Sequence, residues 1–395
     1  MVSRVERVLA KIALFAILAS HVAVVKCQLR FASVGNWGTG SKLQKKIAET
    51  LKSSIANDRV TFIVSPGSNF EYGVTGPADD KWEMQFQSVY RSEDGSMEIP
   101  MFTVLGAGDW QGDFNAQINR NQQAYLTAQM TEKTDMKGLP RWTMPNWWYH
   151  YYTHFATTAS MSLLKSGHKD MSVGFIFIDT WILSNAFPYK DVTNAAWADL
   201  KKVLEIAPRI LDYIIVVGDK PIQSSGPSKG DSQLAYYLLP LLREAQVDAY
   251  ISGYDHDMEI IDSNGISLIV TGNGGSSGRR PVMKTTNSLF FSEKGGFCIH
   301  ELNADGMETK FVNGDTGEVM YTHKQPIKKR QQRQYGSEVQ NVSALPNVSL
   351  YPIGEMASPT QMDAFIKIVG TIGLIIAGIH ITLLSGTTLG KAAAI

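Results

Sequence analysis

The sequence predicts an α/β ectodomain followed by one C-terminal transmembrane helix. Apolar runs rich in Val and Ile lie at residues 29–34, 60–65, 101–105, 173–178, 213–217, 249–252, 266–271 and 297–302. Their low polar alternation is that of strands covered on both faces. Helical patterns at 41–56, 115–132, 195–207 and 233–245 fall between them, and this alternation places sites at the carboxyl ends of strands. Residues 368–390 carry no Asp, Glu, Lys or Arg, and such a run is long enough to cross a hydrocarbon core of about 30 Å as a helix.

Composition agrees with a large folded domain. The chain has 395 residues and 44% hydrophobic content, enough for a sizeable core. Its 37 basic and 37 acidic side chains cancel, so no global field draws it to nucleic acid, and no zinc-finger spacing or aromatic RNA-binding motif points there either.

In chain order, residues 1–27 read as a secretory signal peptide: Arg4, Arg7 and Lys11 precede an apolar run over 12–25. A core helix or an uncleaved anchor is the alternative. One domain follows at 28–323. It closes on a hairpin whose strands, 307–312 and 319–323, flank the turn Asn313-Gly314-Asp315-Thr316-Gly317. Residues 324–363 are polar and interrupted by proline, as in a flexible stalk. Lys328, Lys329 and Arg330 read there as a solvated cluster, with contact to anionic lipid the rival. Asn341 and Asn347 stand in glycosylation sequons.

The transmembrane helix is assigned to 364–390 and a short cytosolic tail to 391–395, which makes a type I single-pass protein of the secretory pathway. A removable lipid-anchor signal is the rival for this terminus. Gly378, Thr382 and Gly386 recur at four-residue steps, placing small residues along one face where another membrane helix can approach closely. His380, near mid-span, fits a helix–helix contact.

Cys27 either leaves with the signal or sits at its junction, so Cys298 reads as a lone strand thiol; cleavage further upstream would allow a Cys27–Cys298 bond. His150 and His154 stand four apart, as two metal ligands on a helix would. The surrounding run of Trp and Tyr favours a packed or carbohydrate-like surface instead. The loop Gly272-Asn273-Gly274-Gly275 could cradle an anion, but reads first as a tight loop.

The most informative segments end the predicted strands: Gly35-Asn36-Trp37-Gly38, Gly67-Ser68-Asn69-Phe70-Glu71, Leu105-Gly106-Ala107-Gly108-Asp109, Val217-Gly218-Asp219-Lys220-Pro221 and Gly253-Tyr254-Asp255-His256. Their order and glycines resemble the GDxG, GDNFY, GNHD, VGHxP and GHDH motifs of the purple (tartrate-resistant) acid phosphatases, members of the metallophosphoesterases. The resemblance covers about residues 29–322 and implies a four-layer sandwich, two β-sheets flanked by helices.

It also implies how much chemistry has been lost. That family holds two metals about 3.5–4 Å apart to activate hydroxide and clamp phosphate. At the ligand positions this chain carries Asn36 and Ser68 for two Asp residues, Glu71 for the Tyr, Ala107 for the Asn, and Asp219 and Tyr254 for two His residues. His256 alone matches, and Gly108 replaces a further His that serves as acid or substrate contact. The residual candidates for metal are Asn36, Ser68, Asp109, Asp219 and His256, with oxygen atoms of Glu71 and Asp255 nearby. Such donors suit Ca²⁺, Mg²⁺ or Mn²⁺ better than an iron–zinc pair. The expectation is no tightly bound cofactor, at most a weak divalent metal, and a pseudo-phosphatase.

The signal peptide, degraded loops, basic stalk and terminal helix together are similar to the glideosome-associated membrane anchors of apicomplexans, as are segments 34–40, 65–70 and 80–82. That resemblance implies an anchor of the inner membrane complex immobilising the gliding myosin motor. Its implied partners are the myosin, its light chain and palmitoylated glideosome-associated proteins, with lumenal proteins besides. The alternative is a weak or remodelled metal-dependent acid phosphatase. A third class, a lumenal receptor for a phospho-ligand, needs the cleft and no metal.

Overall fold

In a computed structural model of the chain, the described residues are 28–330, apart from 92–96, 132–139, 157–169 and 185. Two seven-stranded mixed sheets face each other. The first contains β1 (Leu29–Ser33), β2 (Phe62–Ser65), β3 (Met101–Thr103), β4 (Trp142–Thr143), β12 (Gly296–Leu302), β13 (Gly306–Asn313) and β14 (Val319–Pro326), in the order β14-β13-β12-β1-β2-β3-β4. The second contains β5 (Tyr149–Ala156), β6 (Asp170–Phe177), β7 (Tyr213–Val217), β8 (Ala249–Ser252), β9 (Met258–Asp262), β10 (Ser267–Thr271) and β11 (Ser288–Ser292), in the order β11-β9-β10-β8-β7-β6-β5. Strands β1 to β4 run parallel, as do β6, β7, β8 and β10. The loops leaving β1, β2, β3, β7 and β8 carry the five glycine-rich segments.

Aromatic side chains fill the space between the sheets. Phe31 and Phe62 of the first sheet meet Phe175 of the second edge-on, with ring centroids 5.0 and 5.2 Å apart. Such pairs add about 0.5–1.5 kcal/mol beyond the area they bury. Helix α1 (Lys42–Asp58) buries Ile47, Leu51 and Ile55, a stripe at four-residue spacing, and Ser41 caps it by accepting from the Gln44 amide. Helix α2 (Ala116–Thr131) follows β3. Helices α3 (Lys190–Ile210) and α4 (Ser232–Glu244) join one cluster with the second sheet: Ala196, Leu200 and Leu204 from α3 and Leu234, Leu238 and Leu242 from α4, packed with Ile214, Val216 and Leu268. Burying each Leu there contributes about 1.5–3 kcal/mol.

The sequence assigns the aromatic run to no element; Tyr149–Ala156 is strand β5, antiparallel to β6. Four strand residues span roughly 13 Å, too far for His150 and His154 to share one zinc ion. The basic run at the predicted stalk is also partly folded. β14 continues to Pro326, Lys328 Nζ donates to the Val247 carbonyl at 2.5 Å, and Arg330 donates to the Asp212 and Gln246 carbonyls. Arg330 also meets Asp248 at 2.5 Å with both side chains 2% exposed. Lys328 and Arg330 are therefore fastened to the domain rather than free for lipid.

Cys298 is a buried strand residue with a free thiol, and burial pushes that thiol up to about 12. No helix among the described residues is long and apolar enough to cross a membrane. The predicted signal peptide, Cys27, the sequons at Asn341 and Asn347, and the span with Gly378, Thr382 and Gly386 lie outside the described residues.

Candidate functional site

The carboxyl ends of β1, β2, β3, β7 and β8 converge. Asn36 N–H donates to the Gly67 carbonyl at 3.4 Å, and Gly253 N–H donates to the Asp219 carbonyl at 2.9 Å. Ser68 Oγ donates to Asp219 Oδ1 at 3.2 Å, and the Ala107 amide donates to Asp219 Oδ2 at 2.9 Å. Glycine is required where these loops touch. A Cβ at Gly106 would strike the Ser68 amide nitrogen and the Asp219 carboxylate, and Gly67 sits at φ 112°, a region that favours glycine. Asn36 and Ser68, at φ 51° and 50°, keep the same tight backbone without glycine.

Asn36, Ser68 and Asp219 thus share one small space, whereas Asp109 is turned to another task. Asp109 is wholly buried. Its Oδ2 accepts from the Asn69 and Gly106 amides at 2.9 Å each, and its Oδ1 accepts from the Phe70 amide at 3.0 Å and Gln117 Nε2 at 2.7 Å. It ties the second loop to the third and to α2. Glu71 points to solvent, and Asp255 accepts from the hydroxyls of Ser224 and Ser228 at 2.6 and 2.5 Å. His256 is partly buried. Burial, then the Arg279 charge, lowers its pKa.

Electrostatics follow from burial. Burial raises Asp219 to about 7, with Asp109 adding to the rise, and the Ala107 and Ser68 donors oppose it. Burial likewise raises Asp109 to about 6 against its four N–H donors.

These residues do not fit a two-metal centre. Such a centre needs several carboxylates and imidazoles with lone pairs free. Asp109 has four donors on its two oxygens, both oxygens of Asp219 already have donors, and Asn36 presents a buried amide nitrogen without a partner. Among the described residues, no three His, Cys, Asp or Glu side chains gather closely enough to hold a metal ion. No hydrolytic step is derived through one.

The remaining similarity is therefore to the frame and not to the donors. The chain is 48% identical over 371 residues to glideosome-associated protein 50 of Plasmodium falciparum, covering 93% of this chain and 94% of that protein. The chain belongs to the glideosome-associated protein 50 family. A solved structure of the Plasmodium protein, described as the anchor in the inner membrane complex, superimposes with a TM-score of 0.71 at 50% identity, covering 81% of this chain and 96% of the other. Pig tartrate-resistant acid phosphatase type 5 is 27% identical over 340 residues, covering 78% of this chain and 89% of that enzyme. The purple acid phosphatase from yellow lupin shares the fold, with a TM-score of 0.51 at 13% identity over 75% of this chain and 53% of that one. No family model matches the chain.

Two buried acids escaped the sequence reading. Asp179 accepts from Trp110 Nε1 at 3.0 Å and from the Trp181 and Ile182 amides at 2.8 and 3.1 Å. Its place just after the apolar run 173–178 marked it as a strand-end residue. Asp257 lies one residue past the last family-like segment, and nothing in its spacing distinguishes it from an exposed turn acid.

Proposed function

We propose that this chain is a membrane anchor that immobilises the gliding myosin motor complex in the inner membrane complex, on a phosphatase fold whose metal-binding loops have been rebuilt as structure. The observation that carries this reading is 48% identity along 93% of the chain to a glideosome-associated protein, whose solved structure is described as the anchor in the inner membrane complex. It is supported by a site whose acids are spent on the loops' own amides and hydroxyls. The partners proposed are the myosin, its light chain and palmitoylated glideosome-associated proteins.

In this reading residues 1–27 direct the chain into the secretory pathway, 364–390 span the membrane as a type I helix, and the folded domain stands on the lumenal side. The motor lies on the opposite side, so load must pass through the membrane helix and its neighbours. The face bearing Gly378, Thr382 and Gly386 packs against another membrane component. Leu at these positions should reduce recovery of motor components with the tagged full-length chain; unchanged recovery sinks the role of that face. Elemental analysis of the purified chain, together with aryl phosphate turnover from acid to neutral pH, tests the loss of catalysis. Stoichiometric metal and turnover abolished by Asp219→Ala or His256→Ala would replace the anchor reading with an acid phosphatase.

A further inference from the structure

An exposed apolar groove lies at one edge of the second sheet, where β11 stands at the end of the strand order beside β9. Val282, Met283 and Leu289 are 55, 48 and 44% exposed. With Pro281, Lys284 and Phe291 they line an open groove of about 430 Å³. Their backbone is held in place. The Val282 and Met283 amides donate to the Ser225 carbonyl at 2.9 and 3.3 Å, and the Arg279 amide donates to the His256 carbonyl at 2.9 Å. Phe290 stacks on Tyr321 with ring centroids 5.1 Å apart, which steadies the strand at Leu289. The segment thus presents aliphatic side chains to solvent from a fixed main chain.

Positive charge surrounds the groove. Residues 279–294 carry Arg279, Arg280, Lys284 and Lys294 against a single acid, Glu293, in a chain whose net charge is zero. All four cations are exposed. Glu293 meets Arg280 at 3.7 Å with both side chains open to solvent, a geometry that neutralises little. Arg279 also feels the buried Asp257 and the partly buried His256. The start of α1 extends the basic surface, because Lys42, Lys45 and Lys46 are exposed and no acid precedes Glu49 in the helix. Packing brings this turn to the same side: a Cβ at Gly295 would stand 2.9 Å from Ile47 Cδ1 and 3.5 Å from Leu43 Cδ1. The Thr39 and Ser41 hydroxyls donate to the Gly275 carbonyl at 2.9 and 2.8 Å, joining the helix start to the loop that leads to Arg279.

We propose that this face lies on an anionic lipid bilayer, with Val282, Met283 and Leu289 entering the headgroup region and the surrounding Arg and Lys side chains meeting lipid phosphates. The inference rests on the reading of the chain as a membrane anchor. Protein interfaces centre on aromatic anchors and are depleted in Lys, whereas this surface pairs aliphatic tips with Lys and Arg, as surfaces that sit in the lipid interface do. Each cation close to an anionic surface strengthens binding about fivefold, and long basic side chains reach outward while their stems cover apolar surface. Residues 331–363 separate the folded domain from the proposed span, a length that reaches at most about 110 Å. The domain can therefore turn this face to the bilayer. Held by the groove as well as by the span, it would resist pivoting under load.

The test places an environment-sensitive dye on the full-length chain in lipid nanodiscs. Cys298 is buried, so in a Cys27→Ser background the dye goes to Met283→Cys, to Leu289→Cys, or to Ile206→Cys on α3 as a control away from the groove. Discs of phosphatidylcholine with phosphatidylserine should brighten the dye at 283 and 289 at least about twofold over phosphatidylcholine alone. Spin-labelled lipid should quench it there, and Ile206→Cys should not respond. Arg279→Gln with Lys284→Gln, both at exposed positions, or raised salt should return the signal to the phosphatidylcholine level. Equal signals in the two lipids overturn the proposal, as does an equal response at 206. Shielding of 283 only after motor components are added makes the face a protein-docking surface and overturns it too. Recovery of motor components with the same charge variant separates the two readings. Normal recovery from a chain whose groove never meets lipid removes this inference alone, and failure of the wild-type chain to recover them removes the anchor reading.

Discussion

His300 illustrates how a single buried side chain ties stability to pH. Its ring nitrogens meet Ser33 Oγ at 2.8 Å and Thr309 Oγ1 at 3.0 Å, and its ring stacks on Phe31 at 4.5 Å. Burial lowers its pKa from 6.5 to about 3. Above pH 6.5 the residue is neutral in both folded and unfolded chains, so it imposes no penalty. As pH falls towards 3, the unfolded chain takes up a proton that the folded chain refuses, so stability declines across that window by up to about 1.4 kcal/mol per pH unit. His300→Gln, which keeps hydrogen-bonding atoms, should flatten the acid limb of urea unfolding; an identical limb would refute this account. Asp219 makes a contrasting prediction. As a structural acid whose pKa burial raises, it should tolerate replacement by Asn, which still accepts from Ala107. Asp219→Asn should match or exceed the wild-type Tm at neutral pH, and a drop of more than a few degrees would mean the charge is needed.

At the scale of elements, the C-terminal strand and its extension fasten the domain. Asp248 Oδ2 accepts from both the Ile214 amide, at 2.7 Å, and Arg330, so one carboxylate joins β7, β8 and the residues after β14. Removing one member of a buried ion pair strands the other charge, at about 3–5 kcal/mol. Arg330→Met should lose that much stability in denaturant unfolding. Asp248→Asn added to it should recover a substantial part, because the stranded charge is gone while Ile214 keeps an acceptor. A double-mutant cycle giving no coupling would show that the pair is dispensable. Sequence-level reasoning treated Lys328 and Arg330 as solvated because local composition is polar; their acceptors are carbonyls at 212, 246 and 247, far away in the chain.

For the whole molecule, the two sheets keep the frame that a dinuclear site needs while the donors have been replaced. That separation makes restoration a test of the frame. Asn36→Asp, Ser68→Asp, Ala107→Asn, Asp219→His and Tyr254→His combined should give stoichiometric metal by elemental analysis. Asn36→Asp alone should not, because a metal pair needs several free anionic or imidazole donors together. Failure of the combined variant to bind metal, while folded, would show that the frame itself has moved.

The continuous apolar runs determined the buried parallel strands, because a strand covered on both faces needs no polar alternation. The order of the glycine loops then determined the frame. Four-residue apolar spacing determined helices such as α1. β5 was not assigned from the sequence because its His150 and His154 suit helical spacing as well as alternation, and only pairing with β6 decides between them. Asp109, Asp219 and Asp255 were all legible as candidate donors, since each is an acid at a strand end. Tertiary structure decided which had lone pairs left, through partners as distant in sequence as Asn69 from Asp109 and Ser68 from Asp219. Asp257 became visible in the same way: a carboxylate's hydrogen-bond deficit depends on its neighbours in space, and no spacing along the chain records it.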